Sequence, residues 1–153
     1  MSKILHFVFC ILYFVFTSPA ITGIIHIPTD QPTIQAGINS AIDSDTILVA
    51  EGTYYENINL RGKAITVASH FLMDGDTNHI SQTIINGSQP SHPDSGSVVS
   101  FLSGEDTTSV LCGFTITGGT GTIEPSVNYR MGGGVQIAFS GAKLLYNHIR
   151  NNS

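Results

Sequence analysis

The sequence L-C-G-F-T-I-T-G occupies residues 111–118, and L-L-Y-N-H-I-R-N occupies residues 144–151. At an offset of 33 residues the two stretches align leucine with leucine at 111 and 144, and isoleucine with isoleucine at 116 and 149. The residues between them are rich in glycine and polar side chains. Such a repeat is typical of a solenoid, in which each turn stacks its apolar residues on the turn before it. The pair therefore predicts successive turns of a parallel β-solenoid.

Short apolar runs also alternate with turns containing glycine or asparagine through the rest of the chain. The predicted strands are 46–49, 58–60, 64–68, 82–85, 97–101, 110–117, 134–137 and 143–149. Apolar triplets start near Ile47, Ile65 and Ile84, eighteen and nineteen residues apart, which favours stacked turns. A β-sandwich is the alternative, but its hairpins need tight two-residue connections. No Asn-Gly or Asp-Gly pair clearly fills that role twice.

The composition supports strands and turns. Of the 153 residues only 11% are charged, 16 are glycine and none is tryptophan. So few charges make long amphipathic helices and coiled coils improbable. The net charge is −5, from 6 Lys and Arg against 11 Asp and Glu, which leaves no basic patch of the kind that binds a phosphate backbone. Nucleic acid is therefore not an expected partner.

The first twenty residues have the pattern of a secretory signal peptide. Lys3 precedes an apolar run over residues 4–16, and residues 18–20, S-P-A, put small side chains at both cleavage-determining positions. A membrane anchor is the alternative, but a spanning helix needs about 20 apolar residues, more than this run supplies. We therefore expect residues 1–20 to be removed, and residues 21–153 to be exported without a transmembrane span.

Residues 33–42 form the only convincing predicted helix. Their sequence places Ile34, Ile38 and Ile42 on one face, and Asp30 is a plausible N-cap. The first turn of a solenoid exposes an open strand edge and an apolar end, and an amphipathic helix would cover both. We therefore predict a short capping helix, with a simple connector between strands as the alternative.

These segments together resemble a known family. Four segments near the N-terminus carry the resemblance: 25–38 (I-H-I-P-T-D-Q-P-T-I-Q-A-G-I), 45–49 (D-T-I-L-V), 52–58 (G-T-Y-Y-E-N-I) and 63–67 (K-A-I-T-V). Their order and spacing are similar to the N-terminal cap and first coils of secreted bacterial right-handed parallel β-helix proteins of the pectin-lyase-like fold. The similarity continues through four later segments: 81–87, 104–106, 111–118 and 132–135.

The resemblance implies an all-β fold, a right-handed parallel β-helix with a short N-terminal capping helix. It also implies a bacterial protein that is secreted or displayed at the cell surface. Residues 21–153 are expected to be the N-terminal portion of the β-helix domain. No closing element is predicted after the strand at 143–149, so the sequence is expected to be truncated at its C-terminal end.

The stretch D-G-D-T-N that begins at Asp74 is the one candidate metal site. Asp74, Asp76 and Asn78 place oxygen ligands at alternate positions, as calcium loops do. The pattern then departs from an EF-hand, which would have glycine at the position of His79 and glutamate at that of Ile85. Calcium is therefore the one cofactor considered, and a polar loop between coils is the alternative interpretation.

No catalytic residue is predicted. Enzymes of this fold that act on acidic polysaccharide need carboxylates that hold calcium near a basic side chain, or paired carboxylates on one face. Cys112 lies within an apolar run and is expected to be a small buried hydrophobe. The exported part offers five scattered cations: Arg61, Lys63, Arg130, Lys143 and Arg150. Its histidines lack the spacing of a metal pair: His26, His70, His79, His92 and His148.

Two functions remain open. The first is non-enzymatic: an exported extracellular or cell-surface β-helix module that binds or displays, with polysaccharide or other cell-surface components as partners. The second is a fragment of a pectin-lyase-like polysaccharide lyase or hydrolase whose catalytic coils lie beyond residue 153. The first is favoured, because the enzyme needs converging acidic and basic side chains that the visible coils lack.

Overall fold

The computed structural model describes residues 22–126 and 128–153. The predicted signal peptide, residues 1–20, lies outside the described residues. Within the described ranges, no helix combines the length and apolar character needed to cross a membrane. The described chain is mostly β-structure with a few short helices, in agreement with the predicted all-β class.

Short elements follow one another along the described chain. The strands are β1 (Ile24–Ile27), β2 (Thr46–Val49), β3 (Gly52–Tyr54), β4 (Ile58–Asn59), β5 (Thr66–Ser69), β6 (Thr83–Asn86), β7 (Ser95–Gly96), β8 (Val99–Phe101), β9 (Val110–Cys112), β10 (Thr115–Thr117), β11 (Gly121–Glu124), β12 (Tyr129–Met131), β13 (Val135–Ile137), β14 (Lys143–Leu145) and β15 (His148–Ile149). The helices are α1 (Ile34–Ser40), α2 (Phe71–Asp74) and α3 (Asn78–Gln82). Strands this short depend on their neighbours for stability.

Three of the four sheets are parallel throughout. The first sheet has the strand order β1-β2-β5-β9-β14, the second β15-β10-β6-β3 and the third β13-β8-β4. The fourth sheet, β12-β11-β7, is antiparallel. Neighbouring strands in the parallel sheets come from distant parts of the sequence, so the chain returns to the same sheet on each successive pass.

The 33-residue offset of the sequence repeat equals the offset between paired strands in two of these sheets. Leu144 pairs with Leu111 in the first sheet, and Ile149 pairs with Ile116 in the second. The stacking predicted from the repeat is therefore confirmed. Because the side chains of buried strands alternate between two faces, this register keeps like residues on the same side of the sheet.

The stacking expected from the apolar triplets is confirmed for the first two segments and not for the third. Ile47 pairs with Val67 rather than with Ile65, and Ile84 belongs to the second sheet, where it pairs with Thr115. A shift of two residues leaves the same face of a strand inward. Both Ile65 and Val67 are buried, so apolar spacing alone could not distinguish the two registers.

The two longest predicted strands, 110–117 and 143–149, are each divided between the first and second sheets. The first breaks at Gly113, where φ is +82°, and the second at Tyr146, where φ is +54°. A left-handed residue turns the chain sharply, and glycine adopts this conformation without a steric penalty. These corners end one strand and direct the chain into the next sheet.

Asparagine side chains connect these corners to the preceding pass. Asn147 Oδ1 accepts a hydrogen bond from the N–H of Phe114 at 3.0 Å, and its Nδ2 donates to the carbonyl of Leu111 at 2.9 Å. Asn152 Oδ1 accepts a hydrogen bond from the N–H of Gly119 at 2.8 Å. The amides satisfy backbone groups that the turn leaves unpaired.

The helix α1 covers β1, β2 and β4. Ile34 and Ile38 are fully buried, as the helical spacing predicts. The prediction for Ile42 is wrong, because the helix ends at Ser40 and Ile42 is 60% exposed. The chain leaves the helix in an extended conformation at Ala41, so the third isoleucine of the pattern no longer faces the core.

The predicted N-cap of α1 is also wrong. The cap is Thr33, whose side chain accepts a hydrogen bond from the N–H of Ala36 at 3.1 Å. Asp30 instead accepts a hydrogen bond from the backbone N–H of His26 at 2.8 Å. A side chain at the position directly before the helix reaches the first-turn N–H groups, whereas Asp30 lies too far upstream.

Both ends of α1 are bound by charged side chains from the next pass of the chain. The carboxylate of Glu56 accepts hydrogen bonds from the N–H groups of Ile34 and Gln35, both at 2.9 Å. Lys63 Nζ donates at 2.7–2.8 Å to three carbonyls at the other end: those of Ile38, Asn39 and Ala41. An anion at the N-terminus and a cation at the C-terminus both complement the helix dipole.

Two insertions were not predicted. The helices α2 and α3 lie between β5 and β6, and the hairpin β11–β12 lies between β10 and β13. The expectation of a single helix is therefore wrong. Helices of four and five residues carry too little periodicity to be distinguished from a polar loop.

Exposed apolar residues lie on the outermost strands at one end of all three parallel sheets in the described chain. They are Ile137 on β13, Leu145 on β14 and Ile149 on β15. Unpaired parallel edges with apolar side chains associate readily. We expect the protein to self-associate as its concentration rises, and Ile149→Lys to shift sedimentation velocity profiles toward monomer. Ile42→Lys, an exposed position directly after α1, which packs on β1 and β2 at the opposite end of the first sheet, is the control. A wild-type protein that is monomeric at every concentration would contradict this expectation.

Candidate functional site

A polar cleft of about 220 Å³ lies over the third parallel sheet. Its polar lining includes Asn57, Asn59, Ser97, Ser100, Thr122 and Gln136. Of its ten lining residues, eight have an amide or hydroxyl side chain and none is charged. Amides and hydroxyls can both donate and accept hydrogen bonds. The cleft can therefore bind a polar ligand without attracting an ion.

The floor of the cleft is a row of polar side chains on adjacent strands. Asn59 on β4 pairs with Ser100 on β8, which in turn pairs with Gln136 on β13. Their neighbours Ile58 and Val99 are buried in the core. Because side chains alternate across a strand, the polar residues point away from that core, on strands about 4.8 Å apart.

Gln136 is the most buried residue of the row. It is only 8% exposed, and its Oε1 accepts a hydrogen bond from Ser97 Oγ at 3.3 Å. Within the described residues, no hydrogen bond uses its Nε2. In the described chain, Thr83 Oγ1 is the one fully buried side-chain N or O atom that lacks a hydrogen-bond partner. Gln136 Nε2 also lacks a partner there but is not in this class, so it is partly accessible to solvent. The amide therefore offers a donor to a ligand in the cleft.

Arg130 on β12 ties together the loop and the hairpin that flank the cleft. Its Nη1 donates hydrogen bonds to the carbonyl of Pro93 at 3.0 Å and to that of Gly121 at 2.8 Å. Its Nη2 lies 3.8 Å from Asp94 Oδ1. The guanidinium is thus directed at groups of the surrounding wall, and it does not line the cleft.

Buried carboxylates elsewhere bind backbone N–H groups. Burial acts to raise the pKa of Glu105, but hydrogen bonds from the N–H groups of Gly62 and Ser103, at 2.8 and 2.9 Å, bring it below its usual value. The pKa of Asp45 is lowered by hydrogen bonds from the backbone N–H groups of Ile42 and Gly23. These carboxylates stabilise turns in their ionised form.

The predicted calcium loop connects α2 to α3. Asp74 Oδ1 accepts a hydrogen bond from the N–H of Asp76 at 2.8 Å, and Asp76 Oδ1 accepts one from the N–H of Asn78 at 2.9 Å. Asp74 Oδ2 lies 3.1 Å from Nε2 of His79, so a cation would have to compete with this imidazole. In the described chain, no three His, Cys, Asp or Glu side chains group with metal-binding geometry. Calcium binding here stays a prediction.

His79 joins two separate segments of the chain. Its Nδ1 lies 2.8 Å from Glu51 Oε1 and its Nε2 3.1 Å from Asp74 Oδ2, with the ring of His70 at 5.8 Å. Only a protonated imidazole donates from both nitrogens. The hydrogen bond to Asp74, followed by that to Glu51, raises the pKa of His79. Asp74 and His70 are close to His79 in sequence, but Glu51 lies 28 residues away, so the complete cluster could not be recognised from a local pattern.

The His79 cluster predicts a pH dependence of residues 70–82. A raised pKa means that protonation stabilises the folded segment, and that this stabilisation is lost as the pH rises through the pKa of His79. We expect hydrogen exchange in residues 70–82, corrected for its intrinsic pH dependence, to accelerate above that pH. His79→Gln should abolish the transition and His92→Gln, an exposed histidine, should preserve it. An unchanged transition in His79→Gln would contradict this assignment.

The predicted cations do not converge in the structure. Lys63 binds α1 and Arg130 binds the cleft wall. Cys112 is buried, as predicted, and burial raises the pKa of its thiol. The remaining cations of the described chain are exposed: Arg61, Lys143 and Arg150.

Sequence reasoning missed the cleft, although a signal was present. Three short runs share an apolar–polar–apolar order: Ile58-Asn59-Leu60, Val99-Ser100-Phe101 and Val135-Gln136-Ile137. Each puts one polar side chain on the face of its strand opposite to that of its apolar neighbours. Stacking the three runs in one sheet would have predicted the polar row.

Comparisons of the chain with protein-family models, with curated proteins and with solved structures found no match. The function of the protein must therefore be inferred from the geometry of its described residues. The polar cleft and the cluster around His79 are the two sites that this geometry defines.

Proposed function

We propose that the chain is a right-handed parallel β-helix capped by α1. Support comes from the order in which it visits the parallel sheets. The sets β2-β3-β4, β5-β6-β8 and β9-β10-β13 each pass through the first, second and third sheets in turn. Parallel crossovers are right-handed in about 98% of cases. The buried residues of all three sheets contribute to one apolar cluster.

The function proposed for this β-helix is non-enzymatic binding of carbohydrate by an exported, extracellular or cell-surface module. The observation that carries the proposal is the cleft lined by amides and hydroxyls. Sugar hydroxyls both donate and accept hydrogen bonds, and the lining side chains have the same dual capacity. Leu102 adds an apolar contact for the C–H groups of a sugar ring. This lining is more polar than that of most small-molecule sites, which are largely apolar, and it suits a heavily hydroxylated ligand.

Binding without catalysis is favoured by the placement of the carboxylates. Glu56 holds the N-terminus of α1, and Asp45 and Glu105 hold backbone N–H groups. General acid–base catalysis needs a titratable group within hydrogen-bond reach of the ligand. The cleft lining supplies neutral groups in those positions.

Isothermal titration with a panel of oligosaccharides tests the binding function. Ser100→Ala removes one hydroxyl from the cleft floor and should weaken binding about five-fold, equivalent to one hydrogen bond of about 1 kcal/mol. Thr53→Ala removes an exposed hydroxyl from β3 in the second sheet and should leave affinity unchanged. Equal effects of the two substitutions would place the binding site elsewhere.

A lyase assay tests the absence of catalysis. The protein incubated with polygalacturonate and calcium should release no unsaturated product above background. β-Elimination needs a bound cation to neutralise the uronate and a positioned base to remove a proton from carbon. Product formation that Asp76→Ala or Arg61→Ala abolishes without unfolding the protein would overturn the non-enzymatic function. The loop at Asp74 would then become the leading calcium site.

A further inference from the structure

The charge distribution around the cleft indicates the class of carbohydrate, given the proposed function on which this inference rests. A uronate is held most strongly where a cation faces its carboxylate, because charge-assisted hydrogen bonds are stronger than those from neutral amides. The cleft lining contains no Lys, Arg or His. The guanidinium of Arg130, in the adjacent wall, is engaged by the carbonyls of Pro93 and Gly121 and lies near the carboxylate of Asp94.

The two charged groups of this wall, Arg130 and Asp94, therefore do not favour an anion. Asp94 lies in the chain between Ser91 and Ser95, both of which line the cleft, and it is exposed. An acidic ligand would approach this carboxylate while Arg130 is bound to the wall. The net charge of the chain, −5, adds a further unfavourable contribution at low ionic strength.

The donors and acceptors that remain suit neutral hydroxyls. Gln136 offers a nearly buried amide whose Nε2 has no acceptor within the described chain, and Asn59 and Ser100 extend the row beside it. A sugar hydroxyl can accept from this amide and donate to a neighbouring oxygen. The volume, about 220 Å³, is below the roughly 300–1,000 Å³ of sites for drug-sized ligands, so it fits one or two sugar units.

We propose that the cleft is selective for an uncharged glycan, with the Gln136 amide as its central donor, and that it discriminates against uronate-containing chains. A carboxylate placed beside this amide would lose part of its hydration shell. It would gain only neutral hydrogen-bond partners and would lie near the negative charge of Asp94. A neutral sugar loses only hydroxyl hydration, which the amides and hydroxyls replace.

A matched pair of ligands tests this selectivity by isothermal titration. The α-1,4-linked tetrasaccharides of galactose and of galacturonate differ only in oxidation at C6, and neutral tetrasaccharides of glucose, mannose and xylose complete the panel. We expect at least one neutral probe to bind, and the galacturonate to bind at least ten-fold more weakly than the galactose probe or not measurably. Tighter or equal binding of the galacturonate would overturn the selectivity while leaving carbohydrate binding intact. Failure of every probe to bind would overturn both.

Substitution of Gln136 provides a second test of the selectivity. Gln136→Glu keeps the size of the side chain but replaces its donor with a negative charge, so it should weaken binding of the neutral probe at least ten-fold. Gln31→Glu adds the same charge outside the cleft and should have no effect. Ser100→Asp on the less buried part of the floor replaces Gln136→Glu if thermal unfolding shows that the latter is not folded. Unchanged affinity in folded Gln136→Glu would overturn the role assigned to the amide, and unchanged affinity in folded Ser100→Asp would overturn the placement of the ligand on this polar row.

Discussion

Replacing Phe114 with alanine is expected to lower the free energy of unfolding by about 3–5 kcal/mol. Phe114 is among the largest fully buried side chains of the described chain, and it belongs to the apolar cluster to which the three parallel sheets contribute. Its loss would leave a cavity between passes that the short, mutually dependent strands cannot readily close. The measurement is equilibrium unfolding in urea.

Phe139 provides the matched control, because it is 98% exposed. Phe139→Ala should change the free energy of unfolding by less than about 0.5 kcal/mol, as surface substitutions usually do. Similar effects at the two positions would contradict the assignment of Phe114 to the core.

Replacing Lys63 with methionine is expected to cost about 2–3 kcal/mol of stability. The ammonium group donates to three carbonyls at the C-terminal end of α1, and hydrogen bonds from a charged group contribute more than neutral ones. Methionine keeps most of the apolar stem but leaves those carbonyls without their donor. The loss should appear in urea unfolding, together with faster hydrogen exchange in Ile34–Ser40.

Lys143→Met is the control for this effect. Lys143 is exposed and lies on β14, far along the chain from the capping helix. Removing its charge should change stability by less than about 0.5 kcal/mol. If Lys63→Met were equally mild, the three short distances at Lys63 would not reflect a stabilising cap.

The sequence predicted the stacking wherever it repeated itself closely. The pair of stretches at 111–118 and 144–151 gave the correct register, because leucine and isoleucine recur at positions that pair directly on adjacent strands. The apolar triplets near Ile47 and Ile65 identified two segments that stack but not their exact register, because a two-residue shift preserves which face is inward. Apolar periodicity thus identified which face of each strand is inward, and only close repetition of the sequence identified which residues pair between neighbouring strands.

The capping helix was predicted from its apolar face, and the interactions at its ends were not. Ile34 and Ile38 are spaced along one helix and can be recognised locally. Glu56 and Lys63 act on that helix from the following pass of the chain, more than twenty residues away. Their role depends on which segments stack together, and local sequence does not contain that information.

The residues of the polar cleft could not be predicted from local sequence either. Asn59, Ser100 and Gln136 come from three passes and form one row only after the sheet is assembled. The sequence directed attention instead to Asp74 and Asp76, because calcium-loop spacing is a local pattern. In the structure both carboxylates accept hydrogen bonds from nearby backbone N–H groups.

The most direct test of a carbohydrate-binding β-helix is an NMR titration that follows side-chain amides during addition of a neutral tetrasaccharide that binds. We expect saturable shifts in the amide signals of Gln136, Asn57 and Asn59, with the backbone signals of residues 74–79 unchanged and the sugar intact at the end of the titration. Shifts confined to residues 74–79, or cleavage of the sugar, would contradict it.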